Sequence, residues 1–430
     1  MSGWRSAGRR HAFLRVAALC AATAVAACSR SAPAPDAELD RIAARYVQLA
    51  AALVTHDPDS ASGDTTAPAQ TGRHSDSSLG LADIAVQAQT TAGELRSLAG
   101  PVDRTRQEWL AAQLTALAAR ASIQSGVRMT FARELQLLFG IDPPGELAPD
   151  VAAARHTIDI LLPGTGTADA RLARFERGVE VPHDRLEPVF LRAADECRTR
   201  TRARVALPPG ERIDVRLVTG VAWSAFSTYL GGGHSRIDLN AALPLTVDRV
   251  LELACHEGYP GHHVINTLRD RRAAGGRPEL TAVPLFSPES FAAESVAGAA
   301  ASLVFTEAER TAFERDVLFP LAGLDPADAV RHVQVARLLD RVSPAIGLHL
   351  SRYLSGTRDF VETGWALQAD ALMAHPQATL LFANQFRGFA LAYTWSRAHP
   401  GDMWSRYEAL LKGEETPANR ATARVWRATG

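Results

Sequence analysis

The chain reads as a mainly α-helical protein with one small antiparallel β-sheet, and three observations carry that expectation. Apolar residues recur at three- to four-residue steps over most of the length, as in Leu95, Leu98, Leu110, Leu114 and Leu117. Strand-like patterning is confined to residues 205–240, where Ile213-Asp214-Val215-Arg216-Leu217-Val218 alternates apolar and polar side chains. Two further short strands, 226–230 and 235–240, flank the turn-forming Gly231-Gly232-Gly233.

The elements follow in order. A helix is expected over 39–54, and then 56–78 is rich in Asp, Ser, Thr, Gly and Pro. Such a stretch cannot bury enough apolar area to order itself and reads as a surface loop. Helical spacing covers 79–139 until Pro143-Pro144-Gly145 breaks it. Another helix, 151–162, stops at Pro163-Gly164, and a further one spans 186–204. After the strands, helices resume and run to the C-terminus. Residues 39–430 are expected to form a single domain, with 28–38 as a tether.

The N-terminus carries a different signal. Arg5, Arg9 and Arg10 precede an apolar stretch over 12–27 that ends Val25-Ala26-Ala27-Cys28. This is the form of a bacterial lipoprotein signal peptide, with 1–27 removed and Cys28 lipidated. The stretch is short of the ~20 apolar residues that a membrane-spanning helix needs. Ser29 suits sorting to the outer membrane, so the expected location is a lipid anchor at the cell envelope, facing the periplasm. The Arg9-Arg10 pair ahead of Phe13-Leu14 gives a weak hint of twin-arginine export, its spacing being loose. Composition is ordinary for a globular protein, at 47% hydrophobic and 22% charged residues. Net charge is -1, and removal of 1–27 with its four arginines makes it -5, which excludes nucleic acid as an expected partner. Lys412 is the one lysine against 45 arginines, so runs such as Arg198-Thr199-Arg200-Thr201-Arg202 read as compositional bias. Export permits a disulfide between Cys197 and Cys255, and two separate buried thiols fit the sequence equally well.

Candidate chemistry centres on His256-Glu257-Gly258-Tyr259-Pro260-Gly261-His262-His263. Thr246 can cap a helix with Asp248 in its first turn, and Val247, Val250, Leu251 and Ala254 form an apolar stripe leading into His256. Neutral imidazoles bind Zn2+, and a carboxylate beside them can take a proton from water. The spacing is longer than His-Glu-x-x-His. Pro260, however, has no amide donor and would clash with the His256 carbonyl, so the helix must kink or end before His262. Gly261 permits the break. Either His262 or His263 can then join His256. His262 is the favoured ligand and His263 the alternative. A helix end with ordinary surface histidines is the plainer reading, but four titratable groups in eight residues around Pro-Gly argue against it. A third ligand is needed, and Glu294 and Glu289 both open the Ala-rich helix that follows.

The stretch Arg236-Ile237-Asp238-Leu239-Asn240, leading into the His256–His263 motif, resembles the bacterial "domain of unknown function 885" family. Pro284-Leu285-Phe286-Ser287-Pro288, Ala293-Glu294 and Leu318-Phe319-Pro320-Leu321-Ala322-Gly323-Leu324-Asp325-Pro326 match as well, and the resemblance runs from about residue 40 to the C-terminus. That family is grouped with zinc metallopeptidases whose third ligand is glutamate. The resemblance implies a helical, metallopeptidase-like fold and puts the third-ligand role on Glu294. Ser295 stands where relatives commonly have Gly. Tyr393, in Gly388-Phe389-Ala390-Leu391-Ala392-Tyr393-Thr394, matches a C-terminal tyrosine of the family that could donate to an oxyanion. Phe386, Phe389 and Tyr393 also share a helical face, which favours a core tyrosine. His349 is a further candidate for the donor role.

The expected function is zinc-dependent hydrolysis of peptide or related amide bonds, with His256, His262 and Glu294 as ligands and Glu257 as general base. The strand at 235–240 is expected to offer an edge to an extended peptide. The alternative is a non-catalytic metal-binding envelope lipoprotein. A third option is a thiol hydrolase using Cys255 or Cys197.

Overall fold

The computed structural model describes residues 35–62, 79–99, 101–145, 151–221, 223–398 and 403–414. The expected signal peptide, Cys28, most of the tether and most of the 56–78 loop lie outside the described residues. The helical repeat of the first half forms α1 (Pro35–His56), α2 (Leu81–Ser97), α3 (Arg104–Gln124), α4 (Phe131–Phe139), α5 (Val151–Leu161), α6 (Ala168–Gly178) and α7 (His183–Arg202). Strands β1 (Arg212–Val218), β2 (Ala225–Gly231) and β3 (His234–Asn240) follow. Then come α8 (Val247–Leu253), α9 (His262–Ala274), α10 (Pro288–Ala297), α11 (Ala300–Val304), α12 (Glu307–Phe313) and α13 (Phe319–Ala322). The remainder is α14 (Pro326–Val342), α15 (Pro344–Leu354), α16 (Phe360–Ala371), α17 (Pro376–Phe386), α18 (Ala392–Ala398) and α19 (Met403–Lys412). Among the described residues no helix is long and apolar enough to cross a membrane.

The protein is mainly helical, and the departures from expectation have local causes. The single run expected over 79–139 is three helices. Asp103 and Thr130 cap new starts, their side chains accepting the backbone N–H groups of Arg106 and Arg133. Thr167 likewise starts α6, which the sequence reading did not anticipate. The sheet is mixed, not antiparallel. Its order is β1-β3-β2, with β3 parallel to β1 and antiparallel to β2. The glycine turn folds β2 back on β3 as anticipated, but alternation identifies a strand's faces without naming its partner. The central position of β3 also withdraws the expectation that 235–240 presents an edge: both of its sides are paired, and β1 and β2 are the outer strands.

Among the described residues, four apolar clusters form the core. Helices α1, α2 and α3 close one around Tyr46, Leu110, Leu114 and Trp109. The largest gathers α7, the buried face of β3, α8, α9 and α10, including Phe190, Ile237, Leu251, Val264 and Ala293. A third joins α4 to α15 and α17, and a fourth packs α5 and α6 on α14.

The first two clusters are tied by buried polar bonds. Arg106 donates to both carboxylate oxygens of Glu279, at 2.7 and 2.9 Å, and to Asp40 at 2.6 Å. The Trp109 indole donates to Glu289 at 3.0 Å, and Arg269 reaches the same carboxylate at 3.2 Å. α3 thereby fixes the segment that leads into α10. Removing one partner of a buried hydrogen bond strands the other. Trp109→Phe should therefore lower unfolding stability by about 1–2 kcal/mol in urea titrations. An unchanged midpoint would mean that the indole–Glu289 bond contributes nothing.

Candidate metal centre

The motif begins on α8, whose Val247, Val250 and Leu251 are fully buried. Thr246 sits at the N-cap position, but its side chain caps no backbone N–H. The helix continues into one turn of π-helix, Ala254–Gly258, which carries His256 and Glu257. The chain then leaves helical geometry, passes a cis Tyr259–Pro260 peptide, and re-enters a helix at His262. Pro260 thus lies in the break and not in a continuous helix, as its missing donor requires. Gly261 makes the return possible. A Cβ there would lie 1.7 Å from the His256 carbonyl oxygen and 2.6 Å from that of Cys255, so no side chain fits. Its amide donates to Cys255 at 3.0 Å, and Tyr407 on α19 donates to the Pro260 carbonyl at 2.7 Å.

This turn brings three donors to one point. The Nε2 atoms of His256 and His262 are 3.2 Å apart. Glu294, near the middle of α10, puts Oε1 3.2 Å from His256 Nε2 and Oε2 3.4 Å from His262 Nε2. Ligands held ~2.0–2.1 Å from a tetrahedral zinc ion lie about 3.3 Å from one another, so the triangle has the dimensions of three sides of such a site. Two imidazoles and one carboxylate are also a donor set that zinc accepts, with a fourth position left open. Burial alone would raise the Glu294 pKa. The neighbouring His256 and His262 instead hold the carboxyl well below its usual range.

Glu257 is buried next to the triangle, with Oε1 3.9 Å from His256 Nε2. The donor atoms of His256, Glu257 and His262 also lie within 4.8 Å of one another, so Glu257 is a rival for the third-ligand position. Distance favours Glu294, which approaches both imidazoles more closely and leaves Glu257 placed beside the site. Glu289, the competitor from sequence, is committed to Trp109 and Arg269.

His263, the alternative to His262, faces the other way. Its Nε2 is 3.1 Å from Glu211 Oε2 and its Nδ1 is 2.8 Å from the Ser235 hydroxyl. A carboxylate only accepts, so His263 donates from Nε2 and accepts the Ser235 proton at Nδ1. Burial pushes its pKa down despite the Glu211 carboxylate, which keeps the ring neutral. Tyr393 reaches the site. Its hydroxyl hydrogen-bonds Glu294, and burial together with the charges of Glu294 and Glu257 raises its pKa far above the usual value. Its ring meets Phe382 and Phe389 edge-on at 5.4 and 6.3 Å, yet the residue remains 39% exposed. It is therefore not a plain core tyrosine. The three aromatics also do not share one helix: α17 ends at Phe386, and Phe389 lies in a 3-10 turn before α18. His349 has both ring nitrogens engaged away from the triangle, Nε2 by Asp370 at 2.8 Å and Nδ1 by Arg358 at 3.0 Å.

Two features lie behind the motif: a disulfide that the sequence left as one of two options, and a buried acid, Glu211, that it did not mark. Cys197 and Cys255 form a disulfide, with their Cα atoms 5.7 Å apart. The sulfur of Cys255 is thus committed, which removes the thiol-hydrolase option. Glu211, just before β1, is a buried hub. It accepts from Tyr259 at 2.6 Å, from His263, and from Arg198 and Arg202, each at 2.8 Å. The arginine run on α7 is therefore more than compositional bias. The four-residue spacing of Arg198 and Arg202 places both on one helix face and was the available signal.

No family model and no curated protein matches the chain. Among solved structures, a chain from Colwellia psychrerythraea that carries the provisional description of a lipoprotein is similar, with a TM-score of 0.44 and 14% identity. The likeness covers 80% of this chain and 69% of that one. The resemblance to the "domain of unknown function 885" family thus rests on the motif residues themselves.

Burial alone would raise the Glu211 carboxyl, but its bonds from His263, Tyr259 and Arg198 bring the pKa down from 4.5 to about 2. A carboxyl with a depressed folded pKa stabilises fully above its unfolded value, and the effect is lost as pH falls through the folded value. The window here is pH 4.5 down to about 2. The shift corresponds to stabilisation on the order of 3 kcal/mol. The stability gap between wild type and Glu211→Gln should narrow as pH falls through this window. A gap that does not change with pH would contradict the hub.

Proposed function

We propose that the chain is an exported, lipid-anchored, zinc-dependent hydrolase of peptide or related amide bonds at the cell envelope. The observation that carries this reading is the convergence of His256, His262 and Glu294 within 3.2–3.4 Å of one another, with Glu257 alongside. His256, His262 and Glu294 would hold the ion, which when bound acidifies water and polarises a carbonyl.

The remaining roles belong to the chain's own groups. Glu257 is placed to take a proton from the attacking water and to return it to the leaving nitrogen. Its burial keeps bulk water from competing for that proton. The Tyr393 hydroxyl, kept protonated by its raised pKa, can donate to the carbonyl oxygen as charge builds there. Tyr393 is itself partly exposed to solvent. The buried Cys197–Cys255 bond supports an oxidising compartment, in keeping with the lipoprotein-type N-terminus.

Glu257→Gln separates catalysis from metal holding. Purified wild type should contain close to one zinc per chain and cleave members of a peptide library in a chelator-sensitive way. Glu257→Gln should retain the zinc and lose about 10²–10⁴-fold in rate, the usual share of a general base. Zinc bound with no peptide cleaved by wild type would favour a metal-binding envelope protein without turnover. Equal activity in both proteins would remove Glu257 from the mechanism.

A further inference from the structure

We infer that α7 and Glu211 act as a two-point clamp on the metal-binding turn, and that this clamp helps set the site's affinity for its ion. The inference rests on the ligand set proposed above. It concerns residues outside that set: Cys197, Cys255, Glu211 and Tyr259.

The need for a clamp follows from the break in the helix. His256 lies in the π turn and His262 opens α9, so no continuous helical ladder fixes one imidazole relative to the other. Each ligand is instead fastened from outside. On the N-terminal flank, the disulfide joins Cys255, the residue before His256, to Cys197 on α7, and both residues are fully buried. On the C-terminal flank, Tyr259 and His263 both bond the Glu211 carboxylate, and their rings stack edge-on at 4.9 Å. The two flanks share one support. Arg198, next to Cys197, donates to the Glu211 side chain at 2.8 Å and to its backbone carbonyl at 3.0 Å. Arg202, one turn on, reaches the same carboxylate. The C-terminal half of α7 therefore grips the chain immediately before one proposed ligand and immediately around the other.

A disulfide spanning 58 residues would stabilise the fold wherever it lay, by restricting the unfolded chain. The clamp makes a stricter claim. Loosening either flank should let the imidazoles drift from their 3.2 Å separation in a protein that is still folded. Groups that orient metal ligands typically contribute about 10–100-fold in affinity, and these residues should do the same.

The test uses the full-length chain and zinc alone, with affinity measured by competition against a chromogenic chelator. The visible spectrum of the cobalt-substituted protein reports site geometry. Cys197→Ala/Cys255→Ala and Tyr259→Phe should each weaken zinc binding at least about tenfold. Both should alter the cobalt spectrum while retaining helical content. Asp57→Asn serves as the control. It breaks the buried pair with Arg120 in the N-terminal part of the chain, so it should lower the melting temperature without moving zinc affinity. Should the double cysteine variant fail to fold, Tyr259→Phe, which deletes one hydroxyl, decides alone. Wild-type affinity and spectrum in Tyr259→Phe would overturn the clamp while leaving the ligand assignment standing. Failure of wild type itself to bind zinc would overturn both.

Discussion

Two imidazole nitrogens and a carboxylate meet in a buried corner, where little water is at hand to screen them and each needs a partner, a shared proton or an ion. That constraint organises the rest of the molecule. His256 and His262 arrive on opposite sides of a helix break, and Glu294 comes from a separate helix. The interior must therefore hold three segments in register against electrostatic cost. The half-exposed Tyr393 and the buried carboxylate of Glu257 extend the same polar corner.

The scaffold meets the demand by surrounding the corner with fastened polar groups. Glu211 gathers two arginines, a tyrosine and a histidine behind the motif. Glu289 and Glu279 bond Trp109 and Arg106 from α3, which locks the segment leading to Glu294. Tyr407 holds the Pro260 carbonyl from the C-terminal helix. Each of these buried carboxylates and hydroxyls has its partner, as low-dielectric surroundings require. Taken together they explain why a chain of many short helices surrounds a single eight-residue motif.

Much of this was legible in the sequence, for identifiable reasons. The helical class followed from apolar spacing, and the three strands followed from alternation and the glycine triplet. Pro260 and Gly261 announced the break, since one cannot donate and the other tolerates a carbonyl pressed against it. What stayed hidden depended on long-range pairing. Nothing in the alternation of 213–218 says that β1 pairs in parallel with β3 and not with β2, the next strand in sequence. Nothing local marks Glu211, an isolated acid before a strand, as the partner of Tyr259 and His263. The disulfide is likewise a matter of Cα separation, which spacing along the chain does not report. Sequence favoured His262 over His263 only narrowly, because neighbouring residues at a helix start differ only in the direction they face.

The central claim is that two imidazoles and one carboxylate, from three segments, share one ion. X-ray absorption at the zinc edge of the zinc-loaded protein tests it most directly. The account expects two imidazole nitrogens and carboxylate oxygen within ~2.0–2.2 Å, and no sulfur. A sulfur shell near ~2.3 Å, a single imidazole, or a spectrum of fully hydrated zinc would contradict it.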